Sequence, residues 1–318
     1  MLSIILLSYN TEVILKEALR RVYLPKKIND FEVIVVDNAS TDNSCDMVER
    51  EFPQAKLIRH TRNVGFAAGM NIGIKAAKGD YILLLNSDAY VLEDTLDETV
   101  SFMDRNPKVG ILGPQLVCED GSPQPSARQF PSPWRKWRVL SGVEARYPRF
   151  ETHFDYFHLD DSIIPNTRLV DWVPGTYFVI RRDLLDEIGL LDERFFMYFE
   201  EVDYCYRARQ ANWDVAFHPA LTVIHLGGAS AVSTQKEISR KGRMLVDIRV
   251  ASEYDYYLKH AGKGGMLMAA GVELGWKGLI WLKNQVLRDH LSLMKSEEAA
   301  QDMSMVWQKV RMELGRAA

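Results

Sequence analysis

The sequence predicts an α/β protein: a Rossmann-like, mostly parallel sheet flanked by helices, with a C-terminal helical extension. Three observations predict it. Short apolar runs of strand length alternate with segments of helical spacing up to residue 118, the pattern of parallel strands joined by right-handed crossovers. Several of these runs stop abruptly at polar and acidic residues. Beyond residue 230 the strand pattern gives way to helical spacing.

Residues 3–8 read as the first strand, and 12–23, with Val13, Leu15, Ala18, Leu19 and Val22 apolar, as the first helix. The opening run has neither a basic leader nor a cleavage site, so a strand is expected there and not a signal peptide. Residues 31–36 form a second buried strand that ends in Asp37-Asn38-Ala39-Ser40-Thr41-Asp42. Thr41 or Asp42 is expected to cap the helix that runs towards Phe52. Residues 55–59 are a strand and 65–77 a Gly/Ala-rich helix. The five apolar residues Tyr81-Ile82-Leu83-Leu84-Leu85 are too few for a helix and read as a strand buried on both faces. A helix over 92–105 stops ahead of Pro107, because proline disfavours helix at the residue before it. Strands are expected at 109–112 and 115–118.

From 119 to about 166 the prolines at 123, 125, 131, 133, 148 and 165 break every period, and such a stretch in a compact domain is usually functional or mobile. It contains Pro133-Trp134-Arg135-Lys136-Trp137-Arg138. This cluster is either a partly buried tryptophan pair with solvated charges, or a patch for anionic headgroups or a diphosphate-bearing acceptor. A strand at 177–180 and a helix at 182–188 follow, with Gly189 as its left-handed C-cap. Glu200, Glu201 and Asp203 come directly after the aromatic run Phe195-Phe196-Met197-Tyr198-Phe199. Acids in a helix's first turn complement its dipole. Beside so much apolar surface, a carboxylate could also be raised in pKa into general-base range. Strands at 215–217 and 221–225 end at His225, and a lone histidine at a strand end is most often a local hydrogen-bonding residue.

The chain then reads as helix over 235–260, closed by Ala261-Gly262, over 266–293 and, more weakly, over 297–318. The middle segment carries Trp276, Leu279, Trp281 and Leu282 but is interrupted by Glu273, Lys277, Lys283 and Arg288. It is too polar to span a bilayer and suits a helix lying in a membrane interface or covering a subunit contact such as a homodimer.

With 47% hydrophobic and 26% charged residues the composition is that of an ordinary globular protein. A net charge of -4 gives no case for nucleic-acid binding. Cys45, Cys118 and Cys205 have no metal-ligand spacing and fit a reducing cytoplasm. Asn86-Ser87-Asp88 closes the fourth strand. Ligands of open α/β sheets bind outside the carboxyl ends of the strands, and a carboxylate there can hold a divalent cation that in turn holds phosphate. Turn residues ending a strand would look the same, so the rest of the chain decides.

Three ordered blocks do so. Ser8-Tyr9-Asn10 with Val36-Asp37-Asn38-Ala39-Ser40-Thr41-Asp42 is the first, and Asn63-Val64-Gly65-Phe66-Ala67-Ala68-Gly69-Met70-Asn71-Ile72-Gly73 leading to Asn86-Ser87-Asp88 the second. The third runs from Trp172-Val173-Pro174-Gly175 through Tyr198-Phe199-Glu200-Glu201-Val202-Asp203 to His225-Leu226-Gly227-Gly228-Ala229-Ser230. Over roughly residues 1–262 the chain resembles the family-2 inverting glycosyltransferases of the GT-A fold, in the branch of bacterial rhamnosyltransferases.

The resemblance implies a catalytic domain over 1–230, its nucleotide-binding half at 1–118 and its acceptor and catalytic half at 119–230, with 231–318 as the helical region. It implies that Tyr9 and Asp37 frame the nucleotide base, Asp37 accepting its imide N–H, and that Ser8, Asn10, Asn63, Gly65, Asn86 and Ser87 lie along the nucleotide. Asp88 and His225 would hold Mg²⁺ or Mn²⁺, Asp88 as the sole acid because Asn86 replaces the other acid of the motif. Trp172 and Gly175 would line the sugar or acceptor pocket, and Asp203 and Arg207 would support it. Glu201 would be the base, with Glu200 its competitor, since this chain has Glu-Glu where the family mostly has Glu-Asp.

The implied activity is inverting, metal-dependent transfer of a sugar, L-rhamnose from dTDP-rhamnose first and a UDP-sugar next. The acceptor would be a glycan or polyprenyl-diphosphate-linked sugar of bacterial cell-surface polysaccharide synthesis, met in the cytoplasm at the inner membrane face. A non-catalytic sugar-nucleotide-binding protein of the same fold is the alternative, and the intact Glu200-Glu201-Val202-Asp203 run argues against it. A dinucleotide-dependent oxidoreductase would need Gly-x-Gly-x-x-Gly after the first strand, where Ser8-Tyr9-Asn10-Thr11-Glu12 stands.

Overall fold

In the computed structural model, β1 (Leu2–Ser8), β2 (Phe31–Asp37), β3 (Lys56–Arg59) and β4 (Tyr81–Asn86) pair in parallel in the order β3-β2-β1-β4. The central strands β1, β2 and β4 are largely apolar because both faces are covered, while the edge strand β3 has exposed Lys56 and Arg59 at its ends. Leu2, Ile4 and Leu6 pack on α1 (Glu12–Val22), α2 (Ser44–Glu51) and α4 (Thr95–Arg105). Ile5, Ile34 and Val36 face α3 (Phe66–Ala76) on the other side. The glycines of α3 let it lie close, with Gly69 against Leu7 and Gly73 against Ile5 and Val36.

The structure describes residues 1–24, 30–143, 167–227, 235–287 and 290–315. Pro148, Pro165, Gly228-Ala229-Ser230 and Arg288, each singled out in the sequence, lie outside the described residues. The chain divides into two compact units, Met1–Phe130 with Asp155–Lys241 and Pro131–Phe154 with Gly242–Ala318.

In the first unit the sheet continues past β4 through β9 (Tyr177–Arg181), β6 (Val109–Val117), β10 (Asp214–His225) and β5 (Ala89–Val91). β7 (Pro123–Gln124) pairs with β6, and β8 (Arg168–Leu169) with β10. β9 is antiparallel to both β4 and β6, and β10 runs parallel to β6. So β1, β2, β3, β4, β6 and β10 all point one way, and Ser8, Asp37, Asn86 and His225 end at the same edge. On the face that α3 covers, α6 (Arg182–Ile188) and α7 (Glu200–Gln210) complete the core through Leu184, Leu185, Tyr204, Cys205 and Ala208.

Several elements differ from expectation for identifiable reasons. Residues 109–117 and 214–225 are single strands; in β10 a shift of register between His218 and Thr222 interrupts the alternation. The cap position of α2 is Asn43, while Asp42 accepts from Ser44 N and Oγ and from Glu12 N, so it links the starts of two helices. Gly189 ends α6 at φ +77°, ψ −163°, a glycine conformation other than the left-handed helical one expected. Within the proline-rich stretch a helix appears, α5 (Pro133–Ser141). Ser132 accepts from Arg135 N at its start, Pro133 needs no N–H partner there, and Gly142 closes it at φ +64°, ψ +15°.

α5 belongs to the second unit, with α9 (His290–Gly315) and all of α8 (Gln235–Leu287, broken at Gly262) from Gly242 onward. Trp134 and Trp137 stack at 4.8 Å. Lys136 does not meet solvent as either expectation for this cluster required. Its Nζ is buried between Glu253 (2.7 Å) and Glu273 (2.5 Å), and these carboxylates overcome the effect of burial and raise its pKa. Among the described residues no helix is long and apolar enough to cross a membrane.

Candidate active site

The loops after β1, β2, β3 and β4 carry the residues predicted along the nucleotide, and the segment before β9, the start of α7 and the end of β10 carry the rest. Ser8 ends β1, registered on Asp37, and its Oγ shares a hydrogen bond with Thr11 Oγ1 (2.9 Å). Tyr9 is half exposed, and Asn10 takes a positive φ of 56°. That turn lets Asn10 Oδ1 accept from Thr41 N (2.7 Å) while Asn10 N donates to Ser40 Oγ (2.9 Å). The loops after β1 and β2 are thereby latched together. Asp37 is buried; Oδ2 accepts from Ser40 N (3.1 Å), and Oδ1 has no partner among the described residues. Such an acceptor suits a donor on a bound ligand.

Asn38, quoted in the motif but given no role by sequence reasoning, organises the next loop. Its Nδ2 donates to Asn63 Oδ1 (3.0 Å) and Gly65 O (3.1 Å), and its Oδ1 accepts from Val64 N (2.9 Å). Asn63 Oδ1 also accepts from Gly65 N (2.9 Å). Gly65 has φ +86°, and a Cβ there would run into the carbonyl oxygen and ring of Phe196. Phe66 N donates to that same carbonyl (2.6 Å). The Asn63–Gly65 turn is thus seated on the aromatic run that precedes the acids.

That run carries backbone strain. Tyr198 and Phe199 both occupy positive φ (69° and 70°), an unusual pair for bulky residues and of the kind that collects at functional sites. They deliver Glu200 and Glu201 into the first turn of α7. Glu200 is buried and Glu201 partly so, and each has an Oε2 without a partner among the described residues. Burial, and then the charge of Glu201, push the Glu200 carboxyl well above the usual range. Burial also raises Glu201, against an opposing pull from the Arg128 guanidinium. Arg128, another residue the sequence did not single out, is held over Trp172, 5.1 Å from its ring centroid, by mutual backbone hydrogen bonds. Gly175 borders the same acid: a Cβ there would stand 3.7 Å from Glu201 Cβ. Asp203 and Arg207 turn away from this cluster. Arg207 pairs with the fully buried Asp203 (2.9 Å) and donates to the carbonyls of Ile188 and Leu190, fixing the approach to the aromatic run.

At the end of β4, Asp88 is buried and its backbone carbonyl accepts from Leu226 N (3.1 Å). This places Asp88 Oδ1 3.7 Å from His225 Nε2. Burial lowers the His225 pKa despite the opposing charge of Asp88. Gln124 on β7, 101 residues away in sequence, grips His225 from behind. Asn86 Oδ1 is buried without a partner among the described residues, and Ser87 is buried beside it. Among the described residues there is no group of three acidic, histidine or cysteine side chains to enclose a cation. The carboxylate of Asp88 and the imidazole of His225 nonetheless suit a divalent ion that takes its other ligands from solvent or from a bound anion.

The family model for glycosyl transferase family 2 matches residues 3–189. An N-acetylglucosaminyl-diphospho-decaprenol L-rhamnosyltransferase of Mycobacterium tuberculosis is 29% identical over 206 residues, 61% of this chain and 66% of its own. A low-salt glycan biosynthesis hexosyltransferase of Haloferax volcanii is 25% identical over 228 residues, 70% of this chain and 66% of its own. The chain thus spans just under two thirds of these relatives. A mannosyltransferase of Pyrobaculum calidifontis, solved with GDP-Man and Mn²⁺, superposes with a TM-score of 0.53 at 17% identity, over 98% of this chain and 87% of that one. That superposition concerns the fold.

Proposed function

The chain belongs to glycosyl transferase family 2, and from that premise we propose that it transfers a sugar with inversion from a nucleotide-diphospho donor to a glycan or polyprenyl-diphosphate-linked acceptor. Of donors, dTDP-L-rhamnose ranks first and UDP-sugars second. The rhamnosyltransferase of Mycobacterium tuberculosis supports both the sugar and the lipid-linked acceptor. The observation that carries the reaction is the pair Glu200–Glu201: a buried and a partly buried carboxyl at a strained helix start, each with an oxygen unpartnered among the described residues, with Gly175 beside Glu201.

Single-step inversion needs a base within reach of the acceptor hydroxyl, on the sugar face opposite the leaving diphosphate. We assign that role to Glu201. It is the more accessible of the two, and Arg128 favours its ionised form. Glu200 is deeper, and burial together with the charge of Glu201 pushes its carboxyl further above the usual range. Asp37 would accept the base imide N–H through its unpartnered Oδ1, and the Asn38-organised Asn63–Gly65 turn would follow the nucleotide. Asp88 and His225 would hold Mg²⁺ or Mn²⁺, which when bound offsets negative charge building on the departing diphosphate. Trp172 and Gly175 would border the sugar and acceptor, and we place the acceptor's lipid at a membrane that the second unit touches.

Glu201→Gln and Asp88→Ala should each lower transfer from dTDP-rhamnose by at least 10²-fold in a radiolabelled transfer assay, with nucleotide binding retained by Glu201→Gln. Wild-type turnover by Glu201→Gln would move the base to Glu200. Donor binding with no turnover by the wild type would favour a sugar-nucleotide-binding protein instead.

A further inference from the structure

We propose that Gln124 is a positioning residue that fixes the His225 imidazole as its Nδ1–H tautomer and so presents the Nε2 lone pair beside Asp88. The inference rests on the assignment of His225 as a metal ligand made above. Gln124 addresses one residue with both ends of its amide. Nε2 donates to the His225 backbone carbonyl (2.8 Å), and Oε1 lies 2.8 Å from the ring Nδ1. A backbone carbonyl only accepts, so the nitrogen end must face it and the oxygen end must face the ring. An amide oxygen also only accepts, so Nδ1 carries the hydrogen, and a cation bound by the ring can be met only at Nε2. Turning the amide over would set Gln124 Oε1 against the His225 carbonyl oxygen, two acceptors in contact.

Gln124 is itself immobilised. Its own carbonyl accepts from Ser126 Oγ (2.7 Å) and Gln115 Nε2 (3.3 Å), it is registered on Leu116 in β6, and its Nε2 also reaches Cys118 Sγ (3.2 Å). The consequence falls on the 3.7 Å gap between His225 Nε2 and Asp88 Oδ1. A bare imidazole nitrogen and a carboxylate oxygen facing each other are two lone-pair donors that gain only when a cation lies between them. Histidines that bind metals commonly give their other N–H to such a fixed acceptor, which orients the ring. Here the acceptor is a neutral amide, which orients His225 without adding charge.

The experiment uses the full chain labelled with ¹⁵N-histidine. Long-range ¹⁵N–¹H correlation reads the His225 tautomer, assigned by its disappearance in His225→Ala, and electron paramagnetic resonance reads Mn²⁺ binding in the presence of dTDP. The wild type should show Nδ1–H. Gln124→Leu should lose that preference and weaken Mn²⁺ binding on the order of 10- to 100-fold. On the His225→Ala background it should add no further loss. Should Gln124→Leu fail to fold, the wild-type spectrum decides the tautomer and Gln124→Met, close to glutamine in size, reads the loss of Mn²⁺ binding. An Nε2–H tautomer in the wild type overturns the proposal. So does wild-type Mn²⁺ affinity in Gln124→Leu when His225→Ala is weakened, and this leaves the metal assignment standing. Undiminished Mn²⁺ binding in His225→Ala overturns the metal assignment and the proposal together.

Discussion

At the scale of the residue, the site turns on which carboxyl loses its proton. With Glu201 as the proposed base, transfer needs its ionised form; burial raises its pKa above the ordinary carboxylate range, so activity should be lost as pH falls through that raised value. Arg128 opposes the rise. Arg128→Gln should therefore move the acid limb of the kcat profile to higher pH, with less change on the alkaline side; a limb that stays in place would remove Arg128 from the tuning of the base. Asp88 was legible because an acid closing an all-apolar strand is conspicuous, and Glu200 and Glu201 because they follow an aromatic run. Asn38, Gln124 and Arg128 were not. Their importance lies in whom they touch: Gln124 meets a partner 101 residues away, and an isolated amide in a proline-rich stretch gives no sign of this.

At the scale of the element, the strands with both faces covered were legible from composition alone, while β5 and β7 are too short to show a period. α5 was masked by its prolines, although Ser132, Pro133 and Gly142 spell out a cap, a first turn and a stop. The helical pair α8 and α9 bears on the membrane contact proposed for the second unit. Leu279, Trp281, Leu282, Val286 and Leu287 near the end of α8 and Leu293 and Met294 on α9 are exposed, and Lys283 is exposed among them. Apolar and tryptophan side chains with an interspersed lysine match an anionic membrane interface. Full-length protein should sediment with vesicles containing anionic lipid, and Leu282→Glu with Val286→Glu should release it. If vesicles are ignored and the same changes split a dimer on gel filtration, the face is a subunit contact.

At the scale of the molecule, the parallel strands bring Ser8, Asp37, Asn86 and His225, dispersed over the whole first unit, to one edge, which is why ordered motifs could be read as one site. The donor should be readable from the same edge. At a ligand concentration 100 times Kd, binding adds about 2.7 kcal/mol, or about 5 to 10 °C in Tm for a unit of this size. In a thermal-shift panel with Mn²⁺, dTDP and dTDP-rhamnose should exceed GDP and ADP; equal shifts for all would refute a pyrimidine-specific pocket. The sheet order has one more consequence, and it concerns synthesis. β4 acquires its neighbour β9 only after roughly 90 further residues have left the ribosome. At elongation rates of about 20 residues per second that is about 5 s, and at about 5 residues per second nearly 20 s, with an apolar strand edge open to other chains. Slowed translation between β4 and β9 should therefore cost more soluble protein than an equal delay placed after β10.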